Sequence, residues 1–141
     1  MRMPVKVELL EEGPFVSMTS WGVLSRQETG WAHETVRERV EHVRATGVLV
    51  DARDTEVTST PSYSAEIVEN FVFALERKLP IAFLPPKAWT AAHYETVWEL
   101  IPDLNVEVAV FGEAEAGLEW LGVIAPSAND REAEARKTAA L

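Results

Sequence analysis

The stretch Gly47-Val48-Leu49-Val50-Asp51 decides how the rest of the chain is read. A glycine is followed by three apolar residues in a row. A sheet with one wet face writes alternating strands, whereas a continuous apolar run marks a strand covered on both faces. Two further runs behave the same way. One is Pro80-Ile81-Ala82-Phe83-Leu84, closed by Pro85-Pro86; the other is Val106-Glu107-Val108-Ala109-Val110-Phe111. Segments of helical period separate them. Buried strands alternating with amphipathic helices argue for an α/β domain with a short, mixed, mostly parallel sheet and right-handed crossovers.

Upstream of Gly47, Val36, Val40 and Val43 recur at helical spacing, while Glu34, Glu38 and Glu41 alternate with Arg37, Arg39 and Arg44 on the wet side. Ser25-Arg26-Gln27-Glu28 has the capping-box spacing that opens such a helix, and Gly47 is its expected stop. Before it, Val5 to Leu10 alternates with period two, Glu11 to Pro14 signals a turn, and Phe15 to Trp21 resumes as a strand. So short a turn implies an antiparallel hairpin.

Downstream, Asp54 to Ser64 reads as a polar loop broken by Pro61. A second helix is expected over about 62–78, with Ile67, Val68, Phe71, Val72 and Leu75 on one face. Thr90 caps a third helix carrying Tyr94, Val97, Trp98 and Ile101, with Pro102 just past its end. A fourth helix covers 113–121, with Leu118 and Leu121 inward. The expected order is ββαβαβαβα in one domain over 1–124. Residues 125–141 hold a single large apolar residue, Leu141, and read as a polar, frayed or weakly helical tail.

Composition narrows the function classes. With 141 residues the chain makes one domain. It has no cysteine, which removes disulfides, thiol nucleophiles and thiolate metal sites. Thirteen basic against 23 acidic residues leave a net charge of -10, carried by the body because the charges beyond Ala125 cancel. Such a body repels phosphate backbones, so no nucleic-acid partner is expected. No apolar run is long enough for a transmembrane segment and no leader is legible, so a cytoplasmic address is expected.

The three histidines, His33, His42 and His93, lack the spacing of zinc ligands. His42 reads as a surface helix residue paired with Glu38, and His93 as a partly exposed one. No nucleophile elbow, phosphate-cradling loop or dinucleotide fingerprint is present. Asp51 and Asp54, at a strand end, are the one carboxylate pair that could hold a divalent ion in a metal-assisted hydrolase, though Arg53 stands between them. The residues therefore favour a non-enzymatic protein with no cofactor and no metal.

Val48-Leu-Val-Asp-Ala-Arg-Asp54, the helix of Phe71 to Leu75, the strand of Pro80 to Leu84 with Trp89 after it, and Val108-Ala-Val-Phe-Gly-Glu-Ala-Glu-Ala-Gly-Leu-Glu-Trp-Leu121 resemble the STAS superfamily. More narrowly they resemble its SpoIIAA-like branch of small single-domain bacterial proteins, over about residues 5–123. Gly22-Val-Leu-Ser25 with Glu28 fits that branch too. The resemblance implies a non-catalytic binding or regulatory module, acting on a protein partner through the 54–64 loop and the helix after it. In anti-sigma factor antagonists of the superfamily a serine in an Asp-Ser-Ser-Gly pattern is phosphorylated at the start of the second helix. Here the matching stretch is Thr58-Ser59-Thr60-Pro61-Ser62-Tyr63-Ser64, without the Asp or the Gly. Ser59, Thr60 and Ser62 are the hydroxyls left as switch candidates, and Thr60 or Ser62 equally suits a helix cap.

The same branch implies an alternative, a carrier or sensor of a small hydrophobic ligand or lipid. Of the five tryptophans, Trp98 and Trp120 fall at helical core positions, while Trp31 and Trp89 lie near element ends. Pro85 to Trp89 leaves the C-terminal end of a strand, where open α/β sheets place ligand crevices. Trp89, Phe73 and Tyr63 are the expected lining. The first strand, Val5 to Leu10, is an edge that could pair with its copy in a homodimer.

Overall fold

The runs at 48–50 and 81–84 are apolar because they are buried on both faces, whereas Val108 to Val110, expected to be covered in the same way, lies at the sheet edge and is only partly buried. The computed structural model describes residues 4–10, 13–57 and 60–124. Within them one five-stranded sheet runs β1 (Val5–Leu9), β2 (Phe15–Gly22), β3 (Gly47–Thr55), β4 (Ile81–Leu84) and β5 (Val108–Val110), in that spatial order. β1 and β2 form the antiparallel hairpin; β2, β3, β4 and β5 pair in parallel. The helices are α1 (Arg26–Val43), α2 (Pro61–Leu75), α3 (Ala91–Leu104) and α4 (114–124). The α/β class and the order ββαβαβαβα are as the sequence led us to expect.

Side chains divide by parity. Val48, Val50 and Ile81 pack under α1, α2 and α3 with Val36, Val40, Phe71 and Leu75. Leu49, Ala82 and Leu84 face the other way, onto Phe15 and Leu121 beneath α4. Connecting neighbouring parallel strands in sequence by crossovers of one hand puts the three connecting helices on one face. The last helix, which no strand follows, closes the other. Gly117 lets it come close: a Cβ there would stand 3.1 Å from Leu49 Cδ1 and 3.2 Å from Ala82 Cβ.

The caps follow the sequence at the N-termini. Ser25 accepts from the Glu28 N–H at 3.1 Å and Glu28 returns a bond to the Ser25 N–H at 3.0 Å. Thr60 caps α2, with Pro61 at its first position. The C-termini differ from expectation. α1 ends at Val43, and Arg44, not a glycine, takes the left-handed conformation (φ 52°). Glu76 and Asn105 do the same after α2 and α3. Pro102 lies inside the last turn of α3 rather than beyond it. β3 runs on to Thr55, so the expected loop loses its first residues to the sheet. Trp98 is 38% exposed and not a core residue, because it sits on the outer side of α3 while Val97 takes the inward position.

No helix among the described residues is long and apolar enough to cross a membrane. The expected tail over 125–141 lies outside the described residues.

Two glycine variants test this packing in opposite directions. Gly117→Val should cost about 2 kcal/mol and lower Tm by several degrees. Gly30→Ala, inside α1 with nothing within 4 Å of an added Cβ, should gain about 0.5–1 kcal/mol. Thermal denaturation of both variants reads the two signs.

Candidate functional site

The ladder between β2 and β3 slips by one residue. Thr19 pairs with Asp51, but Trp21 pairs with Asp54. Three residues of β3 thus span what two of β2 span, a bulge of the kind that re-aims side chains near sites. Before it, Val50 and Ala52 face α2; after it, Thr55 does so. The bulge flips the parity of the strand and brings Thr55 Oγ1 within 2.7 Å of Ser20 Oγ at the end of β2.

Over these strand ends lies a cavity of about 160 Å³. Its floor is Met18, Val50, Ala52 and Phe83; its roof is α2, through Ile67, Val68 and Phe71. The walls come from His33 and Thr29 of α1 on one side and from Trp89, Val97 and Ile101 on the other. The lining is mostly apolar and one side is open to solvent. It lies at the C-terminal ends of the parallel strands, where open α/β sheets hold their ligands.

The wall at Trp89 is fixed. Its ring lies 5.5 Å from Phe83, 6.0 Å from His93, stacked, and 5.4 Å from Tyr94, edge-on. His93 is buried, contrary to the partly exposed position expected. Its Nδ1 accepts from the Thr90 N–H at 3.2 Å, so it closes a capping box in the place normally held by Glu or Gln. The loop before Trp89 is tied to β3 by the Lys87 N–H, which donates to the Arg53 carbonyl at 3.2 Å.

His33 carries no motif of its own in the sequence, although His33, Val36 and Val40 share one stripe of α1. It is 7% exposed, and its ring meets Phe71 at 5.2 Å, edge to face. Burial lowers its pKa from 6.5 to about 4, because the charged imidazolium would lose its hydration here. At neutral pH it is an uncharged wall. The hydroxyls nearby are engaged: Ser20 with Thr55, and Thr29, which donates to the Ser25 carbonyl at 2.9 Å.

Of the residues expected to line a pocket, the structure brings Tyr63 and Trp89 to this cavity. Phe73 is not there. It is 60% exposed on the outer side of α2, since the roof positions 67, 68 and 71 leave residue 73 facing away. Thr60 is the N-cap of α2 and accepts from the Tyr63 N–H at 3.2 Å. Ser62 is exposed in the first turn. Ser59 lies outside the described residues.

Asp51 and Asp54 are each engaged by a different cation. Asp51 takes Nε and Nη2 of Arg53, each at 3.0 Å, and Asp54 pairs with Lys87 at 3.2 Å. Partial burial raises the Asp51 pKa, but the hydrogen bonds and charge of Arg53 outweigh it and hold the carboxyl below its ordinary value. Arg53 also donates to the Gly112 carbonyl at 3.1 Å, strapping β3 to the turn before α4. Among the described residues no three His, Asp or Glu gather as a metal site.

No family model matches the chain, and no curated protein matches it.

The low pKa of His33 makes stability depend on pH with a definite sign. Unfolded, the ring titrates near 6.5; folded, near 4. Between those values the unfolded chain holds the extra proton, so stability is full above about pH 6.5 and falls as pH drops toward 4. The loss over that window should approach about 3 kcal/mol. Urea denaturation at stepped pH should show it in the wild type, and His33→Leu should flatten the slope between pH 6.5 and 4.

Proposed function

We propose that the protein is a non-catalytic binding module whose ligand is a small apolar molecule held beneath α2. The observation that carries this reading is the mostly apolar cavity of about 160 Å³ over the strand ends. An apolar space of about 150 Å³ inside a protein is large enough to take up benzene. Left empty and closed, a void of this size would cost about 4 kcal/mol, at about 24 cal/mol per Å³. A well-packed wall on one side (Trp89 among Phe83, His93 and Tyr94) argues that the space is shaped rather than left over.

The resemblance to STAS and SpoIIAA-like proteins supports the same class, a binding module rather than an enzyme. Its regulatory form also has a physical route here. Glu56 and Val57, in the segment leading to α2, line the cavity, and Tyr63 lines it from the first turn of α2. A ligand beneath α2 would therefore bear on the loop that the resemblance assigns to partner binding. The phosphorylation form of that reading has less behind it, because the Thr60 hydroxyl is already engaged as the helix cap.

Filling the cavity tests the reading. Ala52 sits on the floor, and Ala52→Leu should occupy part of the space. It should add about 1 kcal/mol, raise Tm by a few degrees and abolish the heat of binding seen when toluene is titrated into the wild type. No toluene binding by the wild type, together with a lowered Tm in Ala52→Leu, would refute the cavity as a binding site.

A further inference from the structure

We infer that the ligand is a monoanionic amphiphile, a carboxylate whose apolar part, about one ring in size, fills the chamber under α2 and whose head sits in an adjoining hollow between α1 and α2. This rests on the cavity reading above and adds the chemistry of the head group.

The hollow measures about 180 Å³ and is bounded by polar residues that the apolar chamber lacks, namely Arg26, Glu66 and Asn70. The two spaces share Thr29, His33, Tyr63 and Ile67 in their walls. One molecule can therefore lie across both, with its apolar end inward and its polar end at the mouth.

Two observations point to what the polar end is. First, the Arg26 guanidinium lies over the Tyr63 ring, 4.6 Å from its centroid. Arg26 takes part in none of the ion pairs found among the described residues. The ring positions the cation at the mouth and leaves its planar N–H fork available for a carboxylate. Second, His33 stands in the wall shared by the two spaces, packed against Phe71. No buried side-chain nitrogen or oxygen among the described residues lacks a partner, so the unbonded ring nitrogens of His33 are accessible rather than sealed in the core. A carboxylate held by Arg26 can take the N–H of this neutral ring.

Charge limits the head to a single negative unit. Glu66 borders the same hollow, and the body carries a net charge of -10. One guanidinium against that background suits a carboxylate and disfavours a dianionic phosphate.

Calorimetric titration at pH 7 with 3-phenylpropanoate, 3-phenylpropan-1-ol and 3-phenylpropyl phosphate tests this, because the three share a tail and differ in the head. The wild type should bind the carboxylate about ten-fold more tightly than the alcohol, and the phosphate more weakly than the carboxylate. Arg26 is exposed, so Arg26→Gln should stay folded. It should weaken the carboxylate by about ten-fold and leave the alcohol nearly unchanged. If the alcohol binds as well as the carboxylate, if the phosphate binds best, or if Arg26→Gln leaves carboxylate affinity intact, the head-group assignment is wrong while the cavity stands. If neither these compounds nor toluene binds the wild type, the cavity reading fails and this inference with it.

Discussion

The structure depends on parallel pairing of β3 with β2 and β4. The N-terminal half of β3 and the whole of β4 are apolar on both faces, so each must be covered twice. α1, α2 and α3 cover one face and α4 the other, and the approach of α4 is set by Gly117 against Leu49 and Ala82. Burial is close to complete along the N-terminal half of β3, where Val48, Leu49 and Val50 are 0–5% exposed. It relaxes beyond Asp51, where the bulge interrupts the ladder with β2. The cavity opens at that point. Structure and site are thus two ends of one strand: the regular half makes the core, and the irregular half departs from it under α2.

The cavity is bounded by groups whose polar needs are met elsewhere. Ser20 and Thr55 satisfy each other, and Thr29 is turned to its own helix. This leaves a surface that is apolar in effect although several of its residues are not apolar by type. His33 is the exception. Its burial keeps it neutral, and a proton would bring charge into a space that cannot hydrate it. Electrostatics elsewhere is structural: the Asp51–Arg53 pair, with Gly112, ties β3 to the turn before α4, and Lys87–Asp54 helps to hold the loop that carries Trp89.

Much of the architecture was legible because local and tertiary signals agree. Ser25 and Glu28 announce α1 by their spacing, and the continuous runs at 48–50 and 81–84 announce covered strands. The misreadings have physical causes. Gly47 looked like a helix stop, but Arg44 accepts the left-handed conformation and the glycine serves the strand instead. Pro102 lies inside the last turn of α3, where its missing N–H leaves the Trp98 carbonyl without its helical donor, and the helix runs only two residues further, to Leu104. His93 was misread because a capping box ordinarily ends in Glu or Gln, and Thr90-Ala91-Ala92-His93 has the spacing with a different acceptor. Trp98 is misplaced because an aromatic residue at helical spacing does not by itself say which side of the stripe is inward, whereas Phe73 lies off the apolar stripe of α2 and so points away from the cavity instead of lining it. The bulge has no local signature at Ala52-Arg53, and from it follow both the longer β3 and the position of the cavity. Trp89 is within reach of the sequence because it follows a strand end, and Tyr63 because it opens the helix after the 54–64 loop; His33 could have been found from its spacing to Val36 and Val40.

The most direct test of the account is where an apolar molecule contacts the protein. Intermolecular nuclear Overhauser effects from bound toluene would locate it. Contacts are expected to Val68, Phe71 and the Trp89 indole, all of which line the space beneath α2. Contacts confined to Phe73 and Trp98, the exposed aromatics on the outer sides of α2 and α3, would contradict it.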